Sequence, residues 1–412
     1  MQPADIAWTL AATALVLLMF PGLAMLYGGM LDGRNVLNMM LMVMSSLAVA
    51  GVVYVLVGHG IVFGDSVGGL GLIGDPFAFS FFDSFMNGDD PGGPILGAFS
   101  LLFAALSLAL ASSGAAGRMR FGAWLVFGAL WVALVYSPLA HWVFAPANPE
   151  TGSPGGWLRN VLELHDFAGG TAVHMNAGAS GLALALVLGR RARAAERPHN
   201  LPVMLIGVGM LMMGWMGFNG GSAVGANFVA GYAVLTSILA ACGGMLGFIV
   251  VERFRDGQAT MLGLGTGVLS GLVGITPIAD AVHPAAAVAV GFLASAAAAW
   301  AITWKRRHRI DDSLDVFAVH GVAGIAGTVF AIFFATSAAP AGIEGVAFGG
   351  DPNRIWREGL AIVVTLAYSF GMTYVIAKLM SKVAPIRVSE DDEEAGLDHA
   401  LHAETAYEGR AF

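Results

Sequence analysis

The chain has little charge and almost no cysteine. Asp, Glu, Lys and Arg make up 12% of its 412 residues, about half the share in an ordinary soluble protein. So few charges exclude a water-facing globular surface and leave no basic face for nucleic acid. One cysteine, Cys242, excludes an intramolecular disulfide. It sits in an apolar run and is expected to be a small buried side chain. The opening MQPADIAW lacks the basic stretch of a secretory signal, and Ile6 to Met30 is long enough to span a bilayer, so no cleaved leader is expected.

What the chain does have is apolar length: 57% of its residues are hydrophobic. Runs of the size a hydrocarbon core about 30 Å thick requires recur from end to end. Eleven spans are expected, near 6–31, 36–63, 95–117, 122–145, 166–189, 201–219, 227–252, 260–278, 284–304, 315–338 and 357–383. The loops after the odd-numbered spans, together with the C-terminal region, hold 17 of the 20 Lys and Arg residues, Arg193, Arg197 and Arg410 among them. Only Arg159, Arg354 and Arg357 fall on the other side. The positive-inside rule makes the first side cytoplasmic. The protein is then expected to be a multi-pass inner or plasma membrane protein, with its N-terminus outside and its C-terminus inside. An outer loop, 64–94, carries Asp65, Asp75, Asp83, Asp89 and Asp90 with no basic residue, a rim suited to gathering cations or simply a solvated loop.

A repeated frame stands inside this apolar chain. AVHMNAGASG (172–181) and AVHGVAGIAG (318–327) share the pattern A-V-H-x-x-A-G-x-x-G. They fall in spans five and ten, and an offset of five spans reverses direction across a membrane. Asp166 precedes His174 by eight residues, and Asp312 precedes His320 by eight. The fold expected is therefore an all-α membrane protein of eleven transmembrane helices, an inverted 5+5 repeat plus one extra helix, a common plan for transporters. The transmembrane domain runs over 1–384, with pseudo-repeats at about 1–190 and 200–340 and the extra helix at 357–383. A polar, acidic cytoplasmic tail follows at 385–412.

The chain holds 57 glycines, many within spans. Small residues let membrane helices approach closely. Gly169, Gly170, Gly178 and Gly181 in one span, and Gly321, Gly324 and Gly327 in the other, should bring His174 and His320 together at mid-membrane. Intramembrane polar groups are costly and tend to mark pathways. Burial disfavours a charged ring. Two neutral imidazoles suit a narrow path for a small polar molecule, or a proton relay. A metal site wants three or four converging ligands. Only two histidines stand in matched frames, without HExxH spacing, so no metal, no other cofactor and no enzymatic chemistry is expected.

DFAGGTAVH (166–174), GWMGFNGGSA (214–223) and DDSLDVFAVHG (311–321) resemble the motifs of the ammonium transporter family, the Amt/MEP branch of the Amt/MEP/Rh superfamily. So do PGLAMLYGG (21–29), PHNLP (198–202), GLVGITP (271–277) and the AGLD and AETAY elements of the tail. The resemblance implies a homotrimer with one pore per subunit that carries ammonium or ammonia. In that scheme ammonium gathers in an outer vestibule, loses its proton, and passes as ammonia past His174 and His320. The family's gate aromatics match Phe103 and Phe218, its vestibule hydroxyl Ser222, and its vestibule aspartate Asp166, with Ala168 beside it. Leu23, Tyr27 and Val316 match inner-pore positions. A PII-type signalling protein at the cytoplasmic face is a further implied partner.

Three positions depart from the family pattern. Phe144 stands where a vestibule tryptophan is usual, and Trp142, about 200° away on a helix, should face elsewhere. Ser100 replaces a frequent glutamine, and GAAGR (114–118) lacks the glutamate of A-E-R. Asp166 also suits a helix N-cap, a role compatible with function. Two alternatives stay open: an Rh-like conduit for another small neutral molecule, and an ammonium sensor coupled to a cytoplasmic partner.

Overall fold

The computed structural model describes residues 1–86, 88, 90–192 and 198–407. Asp89, Arg193, Arg197 and Arg410 lie outside the described residues. The described chain is helical throughout, with isolated β-bridges and no strand. Eleven helices have the length and apolarity to cross a membrane: α1 (Pro3–Met30), α2 (Val36–Phe63), α3 (Gly93–Ala115), α4 (Phe121–Phe144), α5 (Gly170–Leu188), α6 (Leu201–Gly221), α7 (Phe228–Asp256), α8 (Met261–Ile278), α9 (Pro284–Arg307), α10 (Phe317–Phe334) and α11 (Arg354–Val383). These are the eleven spans expected. The start of α5 falls later than the apolar run suggested, because Asp166 stays outside the helix and Gly169 takes φ 109°, which favours glycine.

Helix packing follows the inverted repeat. α1 lies along α6, the first helix of each half, and α5 meets the start of α10, the fifth of each half. Glycine sets that second crossing. A Cβ on Gly178 would lie 2.5 Å from the Gly321 nitrogen; likewise, where α10 meets α8, one on Gly327 would lie 2.0 Å from the Gly274 carbonyl oxygen. Lipid tails are as apolar as leucine, so such backbone contact replaces the water-driven force that packs soluble helices. Four π-helical turns interrupt the spans: Tyr54–Gly58, Val132–Tyr136, Gly170–Met175 and Phe317–Val322. The last two carry His174 and His320. π-turns shift the register of a helix and recur at functional sites.

Cys242 corrects the sequence-based expectation, because it is exposed. It sits on an outward face of α7, where an apolar span needs no cover from other helices. The tail is ordered against one end of the bundle. Arg120 donates to the Ile386 carbonyl at 2.9 Å and Val388 to the Arg118 carbonyl at 3.0 Å. α12 (Glu390–Ala395) and α13 (Leu397–His402) follow. The Asp398 carboxylate accepts from the backbone N–H groups of Leu37 and Asn38 at 3.0 and 2.8 Å, capping α2. The missing glutamate of the 114–118 segment leaves Arg118 buried, paired instead with Asp311 at 2.9 Å. Burial opposes ionisation of Asp311, but hydrogen bonds from Arg191 and the charges of Arg191 and Arg118 outweigh it and hold the carboxyl down at about 2.

Replacing Gly178 with Ala forces a methyl into the Gly321 backbone. Such overpacking typically costs about 1–3 kcal/mol. The thermal midpoint of the detergent-solubilised Gly178→Ala variant is expected to fall by several degrees. An unchanged midpoint would show that the crossing has room to spare.

Candidate functional site

Two aspartates build the site from its ends. Asp166 accepts hydrogen bonds from the backbone N–H groups of Gly169, Gly170 and Thr171 at 2.8, 2.7 and 2.7 Å, and from the Thr171 hydroxyl. It thereby caps the π-turn that carries His174. Asp312 does the same for the other half, accepting from Val316 and Phe317 at 3.3 and 3.0 Å and from the Ser113 hydroxyl at 2.8 Å. The eight-residue spacing seen in the sequence is thus a cap followed by one irregular turn. The two caps differ in charge. Asp312 is ion-paired with Lys305 at 3.3 Å, whereas among the described residues no basic side chain pairs with Asp166.

His174 and His320 meet between these caps. Their Nδ1 atoms are 3.2 Å apart and their ring centroids 5.2 Å apart. They are 0% and 4% exposed. His174 also stacks on Trp215 at 5.3 Å, and the indole N–H of Trp215 donates to the Thr276 hydroxyl at 3.0 Å. His174 Nε2 has no protein partner. Only one proton fits between two Nδ1 atoms so close. In a neutral pair one ring is therefore an Nδ1–H tautomer and the other an Nε2–H tautomer, which leaves one bare and one protonated Nε2.

Phe103 and Phe218 lie next to the pair, stacked at 4.0 Å with 6° between their planes. Above them opens a cavity of about 430 Å³, whose walls include Phe103, Phe144, Asp166, Ser222, Tyr54 and Tyr136. Ser100 is in the wall, and its hydroxyl donates to the Leu96 carbonyl at 2.7 Å. Ser222 donates to the Phe218 carbonyl at 2.8 Å. Arg159 stands at the same wall, bonded to the Phe144 carbonyl at 2.8 Å. Trp142 turns away from the cavity and donates to the Leu72 carbonyl at 2.6 Å. Of the outer acidic residues, Asp90 lines the cavity, while Asp75 folds back on its own loop. Behind Asp166, His165 bonds Asp280 at 2.9 Å. Burial works against a charged His165 ring, but that hydrogen bond and the Asp280 charge outweigh it and hold its pKa above the usual imidazole value.

On the other side of the pair a small cavity, about 20 Å³, is lined by His320, Tyr27 and Asp315. The Tyr27 hydroxyl donates to the Leu110 carbonyl at 3.2 Å. Leu23 and Val316 are 0% exposed, packed in the core and outside that lining. Ala168, 1% exposed, is buried below the vestibule rather than in its wall. Sequence reasoning missed Trp215, Tyr54, Tyr136 and His59 of this pathway. Trp215 lay within a quoted motif. The tyrosines lie on π-turns, where helical spacing gives no warning of the facing direction.

A sequence model of the Ammonium Transporter Family matches residues 7–407. An ammonium transporter of Corynebacterium glutamicum is 60% identical over 99% of this chain and 90% of that protein. One of Bacillus subtilis is 40% identical over 99% of both. The chain belongs to the ammonium transporter family. Among solved structures it resembles a sensor Amt protein (TM-score 0.87, 27% identity, 97% of this chain and 98% of that one). It also resembles Saccharomyces cerevisiae Mep2 (TM-score 0.85, 32% identity, 95% and 91%). Family members of this name are transporters rather than enzymes, and the chain is a multi-pass membrane protein.

Within this transporter, Asp166→Asn keeps the side-chain shape but turns an acceptor-only group into one with N–H donors facing backbone N–H donors. Hydrogen bonds to a charged acceptor are worth about 1.5–3 kcal/mol each. The thermal midpoint of Asp166→Asn in detergent is expected to drop by several degrees. A variant as stable as wild type would mean the cap does not hold the turn.

Proposed function

We propose that the chain conducts ammonium nitrogen across the membrane by stripping the ion of its charge. Ammonium is recruited in the outer vestibule by Phe103, Phe144 and Ser222, near Asp166 and Ala168. It releases its proton to vestibule water, which returns it to the outer solution, and ammonia passes the Phe103–Phe218 stack once it opens. Ammonia then moves along His174 and His320 and leaves past Tyr27, Leu23 and Val316. The single observation carrying this reading is the sealed imidazole pair lying between a 430 Å³ vestibule and a 20 Å³ inner cavity.

The physics favours a neutral passenger. Aromatic faces attract a cation by about 0.5–2 kcal/mol, while moving an unpaired ion into an apolar interior costs tens of kcal/mol. Potassium has no proton to give up and is refused. A pair with one bare and one protonated Nε2 suits ammonia, which both donates and accepts hydrogen bonds. The Asp166 carboxylate, with no ion pair among the described residues, favours a cation at the vestibule end, while at the other end Asp312 and Asp315 share Lys305.

The face bearing the tail and the basic loops is taken as cytoplasmic, with the N-terminus outside, on the distribution of Lys and Arg. The region over 1–384 forms the transport unit, with its two pseudo-repeats and extra helix, and 385–412 the tail. The pathway lies within one chain, which fits a homotrimer with one pore per subunit. A PII-type regulator would dock on the tail face. Transport is favoured over sensing because relatives at 60% and 40% identity carry the transporter name.

In proteoliposomes, an inward ammonium gradient should alkalinise the lumen through wild type, because ammonia enters and takes up a proton there, while a potassium gradient should drive no current. The His174→Ala, His320→Ala double variant should lose ammonia selectivity, either admitting potassium or slowing alkalinisation at least about tenfold. A potassium current in wild type, or an unaltered double variant, contradicts the mechanism. Phe144→Trp should lower the half-saturating ammonium concentration about threefold, from a larger aromatic face. An unchanged value would remove Phe144 from recruitment.

A further inference from the structure

The vestibule wall holds a further polar group, His59, which the pore mechanism does not use. His59 follows the π-turn Tyr54–Gly58 of α2. It is 6% exposed, and its Nδ1 is sealed from solvent without a hydrogen-bond partner. Aromatic rings enclose it. The centroids of Phe63, Phe79, Phe82 and Phe85 lie 5.1, 5.0, 5.2 and 5.7 Å away, and Tyr54 lies at 5.5 Å. The imidazole stands at 80°, 89° and 79° to the rings of Phe79, Phe82 and Phe85. Phe81 and Phe82 hold φ of 60° and 58°. Bulky residues rarely take that left-handed backbone, and such strain gathers at ligand clamps.

A neutral imidazole has one N–H and one bare nitrogen. With Nδ1 sealed among phenyl rings, a proton there can point only at a π face. The bare nitrogen is then Nε2, on the edge of the ring left open. His59, Phe79, Phe85 and Asp90 line the same cavity as Phe103 and Asp166. An open imidazole acceptor, phenyl faces and a nearby carboxylate together match a small cation with an N–H. The apolar wall has room for a short alkyl group.

We propose that His59 and its aromatic ring form a second cation site in the vestibule. It takes ammonium or a primary alkylammonium ion through an N–H···Nε2 hydrogen bond before the ion reaches Phe103 and Phe218. The proposal rests on the transport reading above, and makes His59 a positioning and specificity residue for it. It also supplies a directed hydrogen-bond acceptor, which the Phe144 ring does not.

The test compares wild type with His59→Phe, His59→Gln and Phe82→Leu. In proteoliposomes, His59→Phe should raise the half-saturating ammonium concentration at least about tenfold with maximal ammonia flux within about twofold, the loss expected for one hydrogen bond to a cation. His59→Gln, which keeps an acceptor, should return to within about twofold of wild type. Phe82→Leu leaves the imidazole in place and should raise the same concentration about twofold, which keeps the test open if His59→Phe misfolds. A binding arm uses thermal unfolding of the purified proteins. Propylammonium should stabilise wild type and His59→Gln more than tetramethylammonium, which has no N–H, and should lose that advantage in His59→Phe. Unchanged half-saturation together with an undiminished propylammonium advantage in His59→Phe overturns the site. So does a fall in maximal flux that Gln fails to rescue. A wild type that gives no ammonium-driven alkalinisation defeats the transport reading, and the thermal arm then decides the site by itself.

Discussion

Two imidazole rings with one proton between their facing nitrogens are the constraint on which the rest of the molecule turns. Bringing Nδ1 to within 3.2 Å of Nδ1 requires two helices to touch backbone to backbone. The glycines at 178 and 321 provide that contact. It also requires each ring to be aimed off the regular helical path, which the π-turns at Gly170–Met175 and Phe317–Val322 do. A π-turn has surplus backbone groups to satisfy, and Asp166 and Asp312 satisfy them. Glycine crossing, irregular turn and aspartate cap are three parts of one device, made twice.

The two copies are not equivalent in charge. The inverted repeat gives both halves the same cap geometry, yet Asp312 shares Lys305 with Asp315, and no base among the described residues pairs with Asp166. Pseudo-symmetry thus supplies the scaffold, and the ion pairing differs between its two ends. The vestibule adds to this with stacked and tilted aromatic faces and few charges. The tail adds stiffness at the opposite end, where Asp398 caps α2 and Arg387 bonds the carbonyls at the end of α5.

Much of this was legible in the sequence. Long apolar runs gave all eleven spans, because a bilayer dictates their length, and the repeated frame pointed to the helices that cross. Asp166 and Asp312 were visible as a spacing, although only the structure shows each as the cap of a π-turn. Three features were not legible, each for a physical reason. Cys242 faces outward because an apolar residue in a span carries no mark of which side it takes. The directions of Tyr54, Tyr136 and His59 follow from π-turns, which have no sequence period. The seating of Ala168, Leu23 and Val316 behind the cavity walls depends on neighbouring helices distant in the chain.

The most direct test is nitrogen-15 solid-state NMR of the histidine-labelled protein in lipid at pH 7, with His174 and His320 assigned by single substitution. A shared proton predicts two neutral rings of opposite tautomer, one Nδ1 protonated and the other bare, with a coupling across the hydrogen bond. Two rings of the same tautomer, or an imidazolium at either position, would contradict it.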